Sequence, residues 1–157
     1  MKAIKFIWLA SGILVAGMAF AQSGHFVTGG SNKPVCTDIG TQLQCSGKVA
    51  GLGGTEFEVT VTAEGTAVVE CENPGGNVAP GQDTSVTAEG TTGPVPTPKN
   101  GNYKFSLATV SPTVPNYPTC PNPQWTAHVV DVIFSGEATM TLTEDGVVSD
   151  VVTVAID

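Results

Sequence analysis

The chain has 157 residues and a formal net charge of −8, and it contains 19 Gly, 11 Pro and 4 Cys. Beyond residue 21 the strong cations are Lys33, Lys48, Lys99 and Lys104, no Arg occurs, and all 14 acids of the chain lie in this part. Such a surface repels phosphate backbones and anionic lipid and lacks the guanidinium fork that grips phosphate, which argues against nucleic acid as a partner.

Lys2 and Lys5 precede a run from Phe6 to Ala21 that is apolar or small throughout, and Ala19-Phe20-Ala21 supplies the small-x-small pattern of a signal-peptidase site. Residues 1–21 are therefore expected to be a signal peptide, with Gln22 as the new amino end. The 16-residue run would span about 24 Å as a helix, short of a roughly 30 Å hydrocarbon core. The expected destination is secreted or cell-surface, with no stable membrane insertion after cleavage.

Residues 22–34 are rich in Gly, Ser and Asn around an isolated Phe26 and Val27. They read as a flexible N-terminal arm whose two apolar residues could anchor docking to another subunit. A single domain is expected over 35–157.

Four cysteines in a small exported chain point to two disulfides rather than metal or thiol chemistry. Three pairings of Cys36, Cys45, Cys71 and Cys120 are formally open. The turn around Asp38-Ile39-Gly40 favours Cys36–Cys45. Cys71 and Cys120 each open onto a Pro/Asn turn, which favours joining them as neighbouring strand ends. On a chain-entropy basis the two links contribute roughly 2.5 and 4 kcal/mol.

Along the domain, Leu43–Val49 reads as a strand and 51–54 as a turn. Phe57, Val59, Val61 and Ala63 then alternate with Glu56, Glu58, Thr60 and Thr62, the pattern of a strand with one buried and one wet face. Glu64-Gly65 reads as a tight turn into a second strand, 67–71. A loop is expected over 73–82, a weak strand over 85–88, a Pro-rich connection over 93–101 and a strand over 103–110. Five prolines between 111 and 124 forbid a central strand there.

Trp125–Phe134 reads as a strand with Trp125, Ala127, Val129, Asp131 and Ile133 on one face. Gly136 separates it from a strand carrying Ala138, Met140 and Leu142. Glu144-Asp145-Gly146 is a strong hairpin signal. Val147–Ile156 carries Val on both faces, as expected of a central strand or one covered on both sides. The sum is an all-β chain: an antiparallel β-sandwich of about eight strands, immunoglobulin-like or jelly-roll in topology, with a small closed barrel as the runner-up. The segment Val61-Thr62-Ala63-Glu64-Gly65-Thr66 recurs identically at 86–91, and two similar hairpin corners account for it.

Chemistry is thinly represented. His25 and His128 are the only histidines, no nucleophile elbow accompanies them, and no cofactor or metal signature is present, so the chain is read as non-enzymatic. Glu56, Glu58 and Glu70 are the weak candidates for a carboxylate pair. Glu144, Asp145 and Asp150, or Glu70, Glu72, Asn73 and Asn77, could gather around calcium without matching a known ligand loop. The leading expectation is an exported structural or interaction protein, a self-assembling cell-surface or extracellular fibre subunit whose arm adds a strand to a neighbour. Its partners would be other protein subunits, including copies of itself. The alternative is a carbohydrate-binding or adhesive module using Tyr103, Tyr117 and Trp125.

Overall fold

The computed structural model describes residues 23–157, so the expected signal peptide, 1–21, lies outside the described residues. Ten strands follow in order: β1 (His25–Phe26), β2 (Val35–Asp38), β3 (Leu43–Ala50), β4 (Glu56–Glu72), β5 (Val78–Pro80), β6 (Thr84–Thr91), β7 (Val95–Pro96), β8 (Tyr103–Ala108), β9 (Thr126–Glu144) and β10 (Val147–Ala155). They form two antiparallel sheets packed as a sandwich. In the smaller one, β3 is flanked by β8 on one edge and by β1 and β2 on the other. In the larger one, β10, β9 and β4 run side by side, and the far edge of β4 carries β7, β6 and β5 in succession. No described helix is long and apolar enough to cross a membrane.

The expected alternation holds where it was clearest. Phe57, Val59, Val61 and Ala63 are buried, as are Ala138, Met140 and Leu142 opposite them, and with Leu43, Val49 and Phe105 they fill the space between the sheets. Both disulfides form as favoured, Cys36–Cys45 across β2 and β3 and Cys71–Cys120 at the far end of β4, with Cα separations of 4.1 and 5.7 Å. The second link anchors a smaller core of Ala67, Val69, Cys71 and Cys120, against which Val114, Trp125, Ala127 and Val129 pack.

Two expected turns are absent. Glu64-Gly65 lies inside β4, where the inward series runs unbroken through Ala67, Val69 and Cys71. Gly65 is there because the neighbouring strand comes close: a Cβ at this position would sit 2.7 Å from Val132 Cγ1 and 3.0 Å from the Ile133 carbonyl oxygen. Likewise Gly136 does not end a strand but sits within a register irregularity of β9, between the pairs Ala63–Ala138 and Gly65–Phe134. A second irregularity, between the pairs Val68–Asp131 and Val69–Val129, shifts the phase of β9. As a result Ala127 and Val129 point inward, as does Val132, while Val130, Asp131 and Ile133 are exposed, against the expected single face through Asp131 and Ile133. β10 also departs from expectation, because its outward Val148 and Val151 are 57 % and 51 % exposed.

The repeated hexapeptide proves to be a pairing device rather than a pair of corners. Its two copies lie on β4 and β6 as antiparallel neighbours centred on Ala63–Ala88, which sets Val61 against Gly90, Thr62 against Glu89, Glu64 against Thr87 and Gly65 against Val86. Each Val thus faces a Gly and the first Thr of each copy faces a Glu, and Thr87 Oγ1 donates to the Glu64 carboxyl at 3.0 Å. One short sequence complements itself when antiparallel.

The edges where the sheets approach each other are partly closed. Asp38 N–H donates to Asp157 O at 2.9 Å and Asp157 N–H to Cys36 O at 3.0 Å, while on the opposite side Val110 N–H donates to Glu89 O at 2.8 Å. Replacing Gly65 by Val is expected to destabilise the domain by about 1–3 kcal/mol through overpacking against Val132 and Ile133, although Val favours strands. Chemical denaturation with an unchanged slope checks this; a neutral or stabilising Gly65→Val would mean that the close approach is not constraining.

Candidate functional site: the docked N-terminal arm

The expected flexible arm is, from Ser23 to Val27, part of the fold. His25 and Phe26 pair with Ala50 and Val49 of β3, and Val27 N–H donates to Lys48 O at 2.9 Å. Phe26 is only 2 % exposed and meets Phe105 edge-on, with ring centroids 6.0 Å apart. Val27 is half-buried. The composition of this segment could not reveal the docking, because beyond β3 its backbone is received by two side-chain carboxyls from more than 100 residues downstream.

Those two carboxyls belong to the β9–β10 hairpin. Glu144 is 0 % exposed; its Oε2 accepts from Gly24 N–H at 2.9 Å, and its Oε1 from Gly53 N–H at 2.8 Å and Gly54 N–H at 3.3 Å. Asp150 Oδ2 accepts from Phe26 N–H at 2.8 Å. Ser23 Oγ completes the dock by donating to Gly51 O at 2.8 Å. A single buried carboxyl therefore joins the arm, the loop after β3 and the turn of the larger sheet.

Asp145 occupies the hairpin tip. With φ of 47° at Asp145 and 82° at Gly146, this two-residue loop has both central residues in the left-handed region, as the Asp-Gly signal predicted. Its carboxyl accepts from Thr55 Oγ1 at 2.6 Å, Thr55 N–H at 2.9 Å and Glu56 N–H at 3.0 Å. The Thr55 hydroxyl first, then the Glu56 and Thr55 amides, hold its pKa below the ordinary 3.8.

The acids singled out for calcium thus serve peptide N–H groups of the chain itself. No group of three or more His, Cys, Asp or Glu among the described residues is placed to hold a metal ion. In the other set, Asn73 Oδ1 accepts from Gly75 and Asn77 N–H at 2.9 Å, forming a loop bracket, and Glu72 pairs with His128 at 3.3 Å on the exposed surface. Glu56 and Glu58, the candidate carboxylate pair, are two residues apart on β4, and Glu70, expected across a hairpin from them, lies on the same strand about 40 Å from Glu58 at ordinary strand rise, too far to share a substrate with it.

The three candidate ligand aromatics lie in different surroundings. Tyr103 packs on Phe57 at 5.0 Å, Trp125 is partly buried against the smaller core, and Tyr117 alone is well exposed, at 60 %, beside Pro80 and Pro118. The arm clamp itself had one legible signal: the inward series Ala138, Met140, Leu142 continues in phase to Glu144, which marks that residue for burial.

No known protein family matches the chain, and no characterised protein is similar to it in sequence. Among solved structures, a calcium-binding mutant of Bacteroides uniformis beta-glucuronidase 2 aligns over 83 % of this chain and 14 % of its own, at 12 % identity and a TM-score of 0.33.

Two outcomes follow from the clamp. Glu144→Ala should leave buried N–H donors unsatisfied, at about 1–3 kcal/mol, and should abolish hydrogen-exchange protection of the Gly24 amide before that of the main sheets. Protection of Gly24 equal to wild type would show that Glu144 does not hold the arm. For Asp145, the depressed folded-state pKa means that its stabilising share is full above the unfolded value of roughly 3.9 and is lost as pH falls through the lower folded value. Asp145→Asn, which tolerates the same turn, should be less stable than wild type at neutral pH, and the gap in denaturation midpoint should close in acid.

Proposed function

We propose that this chain is an exported, non-enzymatic structural or interaction protein, a self-assembling subunit of a cell-surface or extracellular fibre. In this reading the arm adds its strand to a neighbouring copy. The observation that carries it is the slot just described, which recognises the arm through main-chain N–H groups and one buried aromatic ring. Such a slot accepts an arm equally from its own chain or from another.

The segment after β1 suits such an exchange. Gly29 and Gly30 have no side-chain space contested within 4 Å, and Gly30 has φ of 67°, so the joint between arm and β2 is lightly constrained. Docking within one chain is favoured by its high effective concentration, so exchange between chains is a high-concentration event. Export rests on the N-terminal sequence pattern, and a non-catalytic role rests on side chains that serve the fold's own backbone.

Mixing full-length mature protein with a variant lacking residues 22–28, which offers an empty slot, should yield a defined complex in sedimentation velocity. Full-length protein alone should form larger species as concentration rises. Phe26→Ala, which keeps the arm but removes its anchor, should weaken both. Strictly monomeric behaviour of every mixture at high concentration would overturn arm exchange.

A further inference from the structure

The charges of this domain are sorted by face. On the outer side of the smaller sheet, Lys48 and Lys104 stand directly opposite each other on β3 and β8, alternating with the inward Val49 and Phe105. Lys33 joins Lys104 along the same shallow cleft. Like charges directly opposite on neighbouring strands are destabilising, and among the described residues no lysine lies in an ion pair that would offset this. Asp38, at the end of β2, bends back to its own Gly40 N–H rather than toward the lysines.

The outer side of the larger sheet has the opposite sign. Glu58 and Glu64 on β4, Glu89 on β6 and Glu137 on β9 project from it, separated by a field of threonines. The cross-strand rows place Thr153, Thr139, Thr62 and Glu89 side by side, and Val151, Thr141, Thr60 and Thr91 beside them. No lysine or histidine enters these rows. Exposed apolar groups complete the surface: Val148 and Val151 on β10, and Ile133, 61 % exposed, on β9. One face thus carries unpaired cations, and the other carries carboxylates with bare apolar side chains.

We propose that the lysine face of one copy seats on the carboxylate face of the next. The occupant is a second copy of this chain, because the two faces are complementary in sign and the fold holds them on opposite sides of one sandwich. Contact between two different faces is head-to-tail, and when no rotation closes it, it grows as an open series. The proposal deepens the reading of a self-assembling subunit and rests on it, but it uses surfaces distinct from the arm slot.

Screening sets the conditions. At about 0.15 M salt the Debye length is roughly 8 Å, so only the apposed faces feel each other and the overall negative charge contributes little. At about 1 M the face-to-face attraction is screened as well. Association is therefore expected to be strongest near physiological ionic strength and to fall in high salt.

Charge reversal tests the pairing directly. The double variants Lys48→Glu/Lys104→Glu and Glu64→Lys/Glu89→Lys should each self-associate roughly a hundredfold more weakly than wild type in sedimentation equilibrium. Mixed together, they should recover association as an alternating series, because both joints between unlike variants bring opposite signs together while joints between like variants do not. Single reversals at Lys104 and Glu89, which disturb the fold less, should shift association in the same directions. Unchanged association in both double variants, or a mixture no stronger than its components, overturns the proposal. If reversal has no effect while loss of residues 22–28 abolishes assembly, the arm reading stands and the face pairing fails; the opposite result separates them the other way.

Discussion

The structure depends on one constraint: β4 and β9 stay paired over almost their whole length, so that a single set of inward side chains serves two cores. Phe57 through Ala63 belong to the larger core, and Ala67 through Cys71 to the smaller one closed by the Cys71–Cys120 link. Because the side-chain period of a strand is two, any odd slip in β4 would exchange its valines for its threonines and glutamates. The irregularities of β9 take up the mismatch instead, leaving the phase of β4 intact. The hexapeptide repeat adds to this fixity, since its Val–Gly and Thr–Glu pairings are satisfied together only in the observed register between β4 and β6.

That constraint also explains which parts of the fold could be read from the chain. Period-two burial at 57–63 and 138–142, the Asp145-Gly146 hairpin and the Cys36–Cys45 link are local properties, and the structure bears them out, as it does the longer Cys71–Cys120 link that the matching Pro/Asn turns favoured. Gly65 and Gly136 misled because a glycine inside an apolar alternation signals either a turn or the close approach of another strand. Only the identity of the neighbour, here Val132 and Ile133 beside Gly65, decides between them. The phase change near Val130 was hidden for a similar reason. A bulge is defined by two strands, and β9 alone carries no mark of it.

The arm illustrates the same limit from the side of composition. Gly, Ser and Asn around a lone Phe are what a disordered lead-in contains, because such a segment cannot bury enough apolar surface by itself. Docking becomes favourable once Phe105 covers the Phe26 ring and Glu144 and Asp150 receive the Gly24 and Phe26 amides. Five residues can be ordered in this way because their partners are already fixed by the β9–β10 hairpin. Ordering the arm then costs little beyond its own backbone entropy.

What remains exposed is consistent with a molecule that avoids uncontrolled edge pairing while keeping its faces available. Along the part of β9 not covered by β10, Ala127 N–H donates to Asn116 Oδ1 at 2.9 Å and Val132 N–H to Gly40 O at 3.3 Å, and the phase change between them places Asp131 on the surface. β5 is three residues long and ends in Pro80. Short edges, prolines, bulges and charges are the ordinary means of blocking strand addition at the wrong place. With those edges blunted, the slot for β1 keeps a specific lock, because it requires a ring at Phe26 and N–H donors spaced to reach two carboxyls. The sorted charges of the two outer faces then act on a different axis from the sheet edges. The two proposed modes of association, through the arm and through the faces, are thus separable by construction, one resting on backbone hydrogen bonds and a buried ring, the other on screened electrostatics.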